Sequence, residues 1–177
     1  MLAYPELTMT YDPLSRTPPP LPAGFVRDPG DAWVEGPSGE RYWGLFGAAG
    51  LLAWHAEAGI LLQHRALWSH HGGTWGLPGG ARKRHESAYD AAVREAGEEA
   101  SVPVDAVEPL FESLFDLGFW SYTTVAVRVV RLFAPIVADS ESVALRWVPI
   151  AEVDALPLHP GFADSWPALR QRLSEHP

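Results

Sequence analysis

Three glutamates, Glu95, Glu98 and Glu99, have the spacing of one helix face and could together hold a metal ion. Residues 87–100 have the composition of a helix that Ser87 or Glu86 could start. Positions three and four residues apart share a face of a helix, so we expect the three carboxylates to lie within a sector of about 100°. Mg²⁺ and Mn²⁺ prefer such oxygen ligands. The spacing therefore favours a site for a hard divalent cation.

The alternative interpretation is a solvated acidic helix face held by weak ion pairs. Glu95 and Glu99 are like charges four residues apart, which costs a few tenths of a kcal/mol. The cluster also lies in the C-terminal half of the predicted helix, where the helix dipole disfavours anions. Local stability gives no reason for this arrangement, whereas a bound cation would screen the repulsion.

The segment around these glutamates carries a longer pattern. Gly80 is followed after five residues by Glu86, and after seven more by the run Arg94-Glu95-Ala96-Gly97-Glu98-Glu99-Ala100-Ser101-Val102. This spacing resembles the Nudix box, and the preceding Leu77-Pro78-Gly79-Gly80 is similar to the strand and turn that enter the box in MutT-like members. The resemblance implies a metal-dependent hydrolase that cleaves a nucleoside diphosphate linked to another group, X.

The resemblance also implies roles for individual residues. The positions that correspond to the catalytic set are Glu86, Arg94, Glu95, Glu98 and Glu99. The three helix glutamates would hold one or more Mg²⁺ or Mn²⁺ ions together with the Gly79 carbonyl, while Arg94 would pair with Glu86 to orient them. A carboxylate from a later loop could also bind metal or accept the proton of the attacking water. Glu141 is the first candidate and Asp139 the second, with plain solvated carboxylates as the alternative.

Two positions depart from the box pattern. Ala96 stands where a larger aliphatic residue is usual, which reduces packing but leaves the charges in place. Ser101 replaces the glycine that normally ends the helix, and a non-glycine residue in the left-handed region costs on the order of 1 kcal/mol. Either Ser101 adopts that conformation or the helix ends differently.

Three further residues are candidates for substrate binding. Arg65 lies ten positions before Trp75, a spacing at which MutT has an arginine that contacts phosphate. His159 and Phe162 fall in the segment that contributes a base-reading side chain in MutT, so they could contact a purine by hydrogen bonding and stacking. The alternative for Arg65 is a surface arginine without a role in binding. The alternative for His159 and Phe162 is a turn in which Phe162 anchors the last helix. For His70 and His71 the plain interpretation is a polar loop, and phosphate contact is the alternative.

The identity of X is not encoded in the box. ADP-ribose hydrolases resemble one another in a proline about 15 residues past it, where this chain has Leu117 and Gly118, and dinucleoside polyphosphate hydrolases tend to have a tyrosine where it has Phe119. These differences favour a nucleoside triphosphate, oxidised or not, that is split to the monophosphate and pyrophosphate. ADP-ribose, nucleotide sugars and dinucleoside polyphosphates remain the alternative substrates. The second alternative for the function is a non-catalytic ligand-binding module.

The elements around the box predict an α/β fold. Short apolar runs indicate strands at 48–54, 60–63, 108–117, 120–133 and 144–148, and a helix is expected at about 163–173. Together with the resemblance, this predicts a Nudix-type α/β/α sandwich, with a mixed sheet and the catalytic helix beside it. We expect a Nudix domain at 44–177 and a proline-rich arm at 1–43, which holds eight of the 17 prolines.

The composition restricts the partners. Thirteen Lys and Arg residues against 22 Asp and Glu give a formal net charge of −9, which disfavours a long nucleic acid or an anionic membrane surface. Cysteine is absent, which excludes thiolate zinc sites and cysteine nucleophiles. No signal-like or membrane-spanning stretch is recognisable, so we expect a cytoplasmic protein that binds a small nucleotide. The sequence leaves open whether the protein forms a homodimer.

Overall fold

The computed structural model describes residues 12, 14–21, 23, 24 and 26–176. The strands are β1 (Trp33–Glu35), β2 (Arg41–Trp43), β3 (Ala48–His55), β4 (Gly59–Arg65), β5 (Trp75–Gly76), β6 (Gly79–Ala81), β7 (Val107–Asp116), β8 (Ser121–Val129) and β9 (Ser142–Val148). The α-helices are α1 (Ala88–Ala100) and α2 (Pro160–Ser174), and short 3-10 helices span Val104–Ala106 and Ile150–Ala155. The predicted strands, box helix and terminal helix are all present.

Strand β3 organises a mixed sheet of seven strands. It runs parallel to β8, and β8 continues antiparallel to β7. Its start, Ala48–Gly50, pairs antiparallel with β6, whereas its end, at Trp54 and His55, pairs with β4. Strand β4 in turn pairs with β5 and β9. Because β3 changes its partner along its length, the strands that carry the glycine turn and the late acidic loop lie on the same side of it.

Helix α1 covers one face of the sheet through small side chains. Ala91, Ala92, Ala96 and Ala100 are completely buried against β3 and β8 residues such as Leu51 and Val125. Alanine at these positions lets the helix approach the sheet closely, which gives a reason for the departure at Ala96. The helix begins as predicted, since the Ser87 hydroxyl accepts the Asp90 N–H at 3.0 Å.

Helix α2 covers the opposite face with larger side chains. Phe162, Trp166, Leu169 and Leu173 pack on the second apolar cluster, which includes Leu52 of β3. Successive β3 residues point to opposite faces of the sheet, so Leu51 and Leu52 serve different clusters. Helix α2 starts three residues before the predicted start because Pro160 suits the first helical position. The fold is therefore an α/β/α sandwich, as predicted.

The backbone at Ser101 settles the alternative left open by the sequence. Ser101 has φ 53° and ψ 37°, in the left-handed region, and its N–H donates to the Gly97 carbonyl at 3.2 Å. Ser101 therefore adopts the left-handed conformation that glycine usually adopts at this position, at the cost of backbone strain.

The last part of the arm packs against the sheet. Strands β1 and β2 form an antiparallel pair, the ring of Tyr42 stacks on Trp120 at 4.6 Å, and the Trp120 Nε1 donates to the Trp43 carbonyl at 3.2 Å. These contacts hold the end of the arm against the segment that precedes β8. Among the described residues, no helix has the length and apolar character needed to cross a membrane.

Candidate active site

Arg94 holds two carboxylates of the box in fixed positions. Its Nε and Nη2 donate to the two oxygens of Glu86 at 2.8 and 2.9 Å, and its Nη1 donates to Glu95 at 2.7 Å. Nη2 also donates to the Ala81 carbonyl at 3.0 Å, which ties the helix to β6. These hydrogen bonds lower the pKa of Glu86 below its usual value. The pairing of Arg94 with Glu86 that the resemblance implied is present in the structure.

Glu95 lies against the glycine turn. A Cβ atom at Gly80 would lie 2.7 Å from the Glu95 carboxyl carbon, so only glycine leaves room for this side chain as it stands. Burial raises the pKa of Glu95 to about 6, and its hydrogen bond with Arg94 opposes that rise. Glu95 is therefore a carboxylate whose charge is partly compensated inside the protein.

Glu99 lies in a different environment from Glu95. It is 5% exposed, and one of its oxygens accepts the Gly79 N–H at 2.9 Å. One carboxylate oxygen each from Glu99, Asp139 and Glu141 lie within 4.8 Å of one another. Desolvation, followed by repulsion from Asp139 and Glu141, raises the pKa of Glu99 well above its usual value. Desolvation likewise raises the pKa of Asp139 and of Glu141. We call Glu99, Asp139 and Glu141 the acidic cluster.

The acidic cluster fits a hard divalent cation. All its donor atoms are carboxylate oxygens, and a buried carboxylate beside two others is costly without a counterion. No arginine or lysine forms an ion pair with it among the described residues, whereas Glu86 and Glu95 share Arg94. The structure thus joins Glu99 to both late-loop candidates of the sequence analysis.

Glu98 stands apart from the acidic cluster. Its side chain is 61% exposed and lies 3.5 Å from Arg94. The three helix glutamates share a sector, as expected, but their depths differ from buried to exposed. Glu95 and Glu98 do not belong to the acidic cluster, although both line the same cleft.

A polar chain from the core fixes Asp139, and sequence reasoning missed it. Buried Gln63 donates through Nε2 to the Ser142 hydroxyl at 2.8 Å, and that hydroxyl donates to Asp139 at 3.1 Å. Gln63 is completely buried and directly follows the apolar residues Ile60, Leu61 and Leu62 of β4. A glutamine that continues an apolar strand run was the available signal, since a buried amide needs a partner.

The predicted substrate-binding residues line the cleft in different ways. Arg65 is half-buried, and its Nε donates to the His70 carbonyl at 3.0 Å. His159 precedes α2, and burial, followed by the charge of Arg65, lowers its pKa to about 3. Phe162 is only 6% exposed and packs against Trp166, with ring centroids 5.6 Å apart. Phe162 thus anchors α2, and contact with a base stays a prediction.

The sequence and fold match known proteins. Residues 45–171 match the family model of the NUDIX domain. The chain is 48% identical over 162 residues to the "Putative 8-oxo-dGTP diphosphatase 3" of Mycobacterium tuberculosis, an alignment that covers 86% of this chain and 74% of that protein. It is also 37% identical to a nucleoside triphosphate pyrophosphatase/Nudix hydrolase fusion protein of Bifidobacterium longum, covering 87% of this chain and 34% of that protein.

Solved structures show the same relationship. The Nudix hydrolase RenU from M. smegmatis has a TM-score of 0.77 and 44% identity, with 84% of this chain and 98% of that chain covered. The MutT protein from Methanosarcina mazei shares the fold alone, with a TM-score of 0.56 and 21% identity over 71% of this chain and 93% of that chain. The fold and the box define a hydrolase that acts on phosphoric anhydrides. The chain belongs to the Nudix family, and it is a Nudix pyrophosphohydrolase.

Proposed function

We propose that the protein hydrolyses a nucleoside triphosphate, including one with an oxidised base such as 8-oxo-dGTP, to the monophosphate and pyrophosphate with Mg²⁺. Mn²⁺ is the second candidate ion. The observation that carries the proposal is the acidic cluster: a buried box glutamate beside two loop carboxylates, with no cationic side chain of the described residues paired to it. The name of the 48% identical relative supports the choice of an oxidised purine nucleotide.

In the proposed reaction, water attacks a phosphorus atom of the triphosphate chain. One P–O bond forms, the bond to the bridging oxygen breaks, and one proton must leave the water. A bound Mg²⁺ would neutralise the charge of the phosphates and lower the pKa of the water. Glu95, Glu98, Glu99 and the Gly79 carbonyl are the proposed holders of the metal, with Glu141 contributing from its loop.

Each protein group has a separate proposed task. Arg94 and Glu86 keep Glu95 oriented, which avoids reorganisation during the reaction. Glu141 is the proposed acceptor of the water proton, because it is the exposed member of the acidic cluster and its raised pKa makes the carboxylate a stronger base. Asp139 is the second candidate.

The other residues of the cleft would bind the nucleotide. Arg65 pairs with Ser142 across β4 and β9, next to Glu141, so its guanidinium is suited to a phosphate close to the metal. His159 is the proposed hydrogen-bonding contact to the base, since its ring is partly exposed and lines the same cleft. Phe162 would form the apolar wall beneath it.

Product analysis tests this proposal. The purified full chain with Mg²⁺ would receive dGTP, 8-oxo-dGTP, the other nucleoside triphosphates, ADP-ribose and a dinucleoside polyphosphate, with pyrophosphate and monophosphate measured separately. We expect pyrophosphate from triphosphates and the highest kcat/KM for an oxidised purine. Glu99→Gln, prepared identically, controls for contaminating phosphatases. Activity confined to ADP-ribose or to dinucleotides would refute the triphosphate assignment.

A further inference from the structure

Three histidines converge at the rim of the cleft. His70 and His71 lie in the loop after β4, and His159 directly precedes α2. One ring nitrogen from each lies within 4.8 Å of the others. Ring centroids are 4.0 Å apart for His70 and His71, and 4.7 Å apart for His71 and His159. We call these residues the histidine cluster.

The backbone at both sides of the histidine cluster is held by hydrogen bonds. The His71 carbonyl accepts the Thr74 hydroxyl at 2.6 Å, and the His70 carbonyl accepts the Arg65 Nε at 3.0 Å. On the other side, the His159 N–H donates to the Trp75 carbonyl at 2.7 Å. His71 also has φ 55°, an uncommon conformation for histidine. The convergence of the rings is therefore set by anchored segments rather than by freely moving side chains.

The rings of the histidine cluster differ from those of His55 and His64. His64 Nε2 lies 3.2 Å from the Gly73 carbonyl, and His55 Nδ1 accepts backbone N–H groups at 3.2 and 3.3 Å. The contacts found for the histidine cluster are instead between rings, including one from Trp33 to His70 at 5.2 Å. Ring nitrogens without a protein hydrogen bond are available as metal ligands.

We propose that His70, His71 and His159 form a binding site for a transition-metal ion of the Zn²⁺ type, separate from the acidic cluster. Imidazole nitrogens favour Zn²⁺, Ni²⁺ and Cu²⁺, whereas Mg²⁺ takes oxygen ligands. The cleft would therefore bind two classes of ion at two sites that differ in donor atom. Tetrahedral Zn²⁺ with bonds of about 2.0–2.1 Å places its nitrogens roughly 3.4 Å apart. The ring nitrogens lie within 4.8 Å of one another, so the exposed rings of His70 and His71 must move closer to reach this spacing.

The surroundings predict what completes the site. Three neutral imidazoles leave the ion with its full charge, and the positive guanidinium of Arg65 lies nearby. An anionic fourth ligand would offset this charge, and the histidine cluster opens onto the same cleft as the acidic cluster. We therefore expect the fourth position to take water or a phosphate oxygen, and the ion to be exchangeable.

Calorimetric titration with Zn²⁺ tests the proposal on the folded full chain. Saturating Mg²⁺ is present throughout, so that the oxygen sites are occupied. We expect one Zn²⁺ per chain, with shifts of the ring-nitrogen NMR signals of the three histidines. His71→Asn should weaken binding at least about tenfold, because even outer partners of a ligand are worth ten- to a hundredfold in affinity.

The controls separate this site from the rest of the molecule. His85→Asn makes the same substitution at another exposed histidine with positive φ, 66°, outside the histidine cluster, and should leave Zn²⁺ affinity unchanged. His159→Gln, with folding checked by circular dichroism, should weaken binding as His71→Asn does. Equal affinity in wild type and His71→Asn would overturn the proposal, as would Zn²⁺ binding that is lost in Glu99→Gln. The readout is binding, so the result stands apart from the hydrolysis assay.

Discussion

Two groups of carboxylates lie in one cleft and differ in how their charge is met. Glu86 and Glu95 share Arg94, with donor–acceptor distances of 2.7–2.9 Å. Glu99 lies deeper with Asp139 and Glu141, and among the described residues the Gly79 backbone N–H is the one hydrogen-bond donor to its side chain. In the arginine-paired group the protein itself compensates the charge, so Arg94 can hold Glu95 in a fixed orientation. The acidic cluster has no such arginine partner among the described residues, so a bound cation would stabilise its charged form.

The largest effect is expected when the acidic cluster loses its buried member. Glu99→Gln keeps the size and the acceptor for the Gly79 N–H but removes the charge. We expect turnover to fall about a thousandfold, the upper range for loss of one preorganised electrostatic group. Steady-state kinetics with Mg²⁺ measure this. Glu57→Gln, at an exposed turn, is the matched control and should retain full turnover.

Glu98 tests whether an exposed glutamate outside the acidic cluster still serves the metal. Glu98→Gln should reduce turnover by at least about a hundredfold, because the predicted role depends on charge and not on burial. Its unfolding midpoint should stay unchanged, since the side chain is 61% exposed. Wild-type turnover in this variant would remove Glu98 from the metal site.

The arginine-paired group is tested through stability. Arg94→Lys cannot reproduce the two-oxygen contact to Glu86 together with the bonds to Glu95 and Ala81, so we expect a loss of about 2 kcal/mol in the free energy of unfolding. Urea denaturation measures it. Arg131→Lys alters an exposed pair with Asp105 and should leave the midpoint unchanged. Equal midpoints for both variants would contradict the orienting role.

The raised and the lowered carboxylate pKa values predict opposite dependences of stability on pH in chelator-treated protein. Glu95 and the acidic cluster have raised pKa values, so stability should decrease by about 1–2 kcal/mol as pH rises from the unfolded value of 4.5 past the Glu95 pKa of about 6. The lowered pKa of Glu86 contributes stability that is lost as pH falls below 4.5. Thermal melts across this range, with and without Mg²⁺, measure both. A flat profile without metal would contradict the assigned burial.

The sequence predicted most of what is local. The 3.6-residue pattern and Ser87 gave the box helix, and the pairing of Arg94 with Glu86 followed from the resemblance. The difference in depth between Glu98 and Glu99 depends on how α1 rotates against the sheet, which only packing decides. Asp139 joins Glu99 across 40 positions of chain through a loop, and its hydrogen bond from Ser142 depends on the register of β9 with β4.

The histidines illustrate the same limit. The sequence interpretation of His70 and His71 is a polar loop, and nothing local relates these residues to His159, almost 90 residues later. The contact arises from the backbone hydrogen bonds between Trp75 and the segment before α2. Long-range pairing of this kind leaves no periodic signal in a single sequence.

Direct counting of bound metal tests the central difference between the two carboxylate groups. Mn²⁺ would be titrated into chelator-treated wild type, Glu99→Gln and Glu86→Gln, with the free ion followed by electron paramagnetic resonance. We expect wild type to bind Mn²⁺, Glu99→Gln to lose that binding by at least about tenfold in affinity, and Glu86→Gln to weaken it less. Undiminished Mn²⁺ binding by Glu99→Gln would contradict the assignment of the acidic cluster as the metal site.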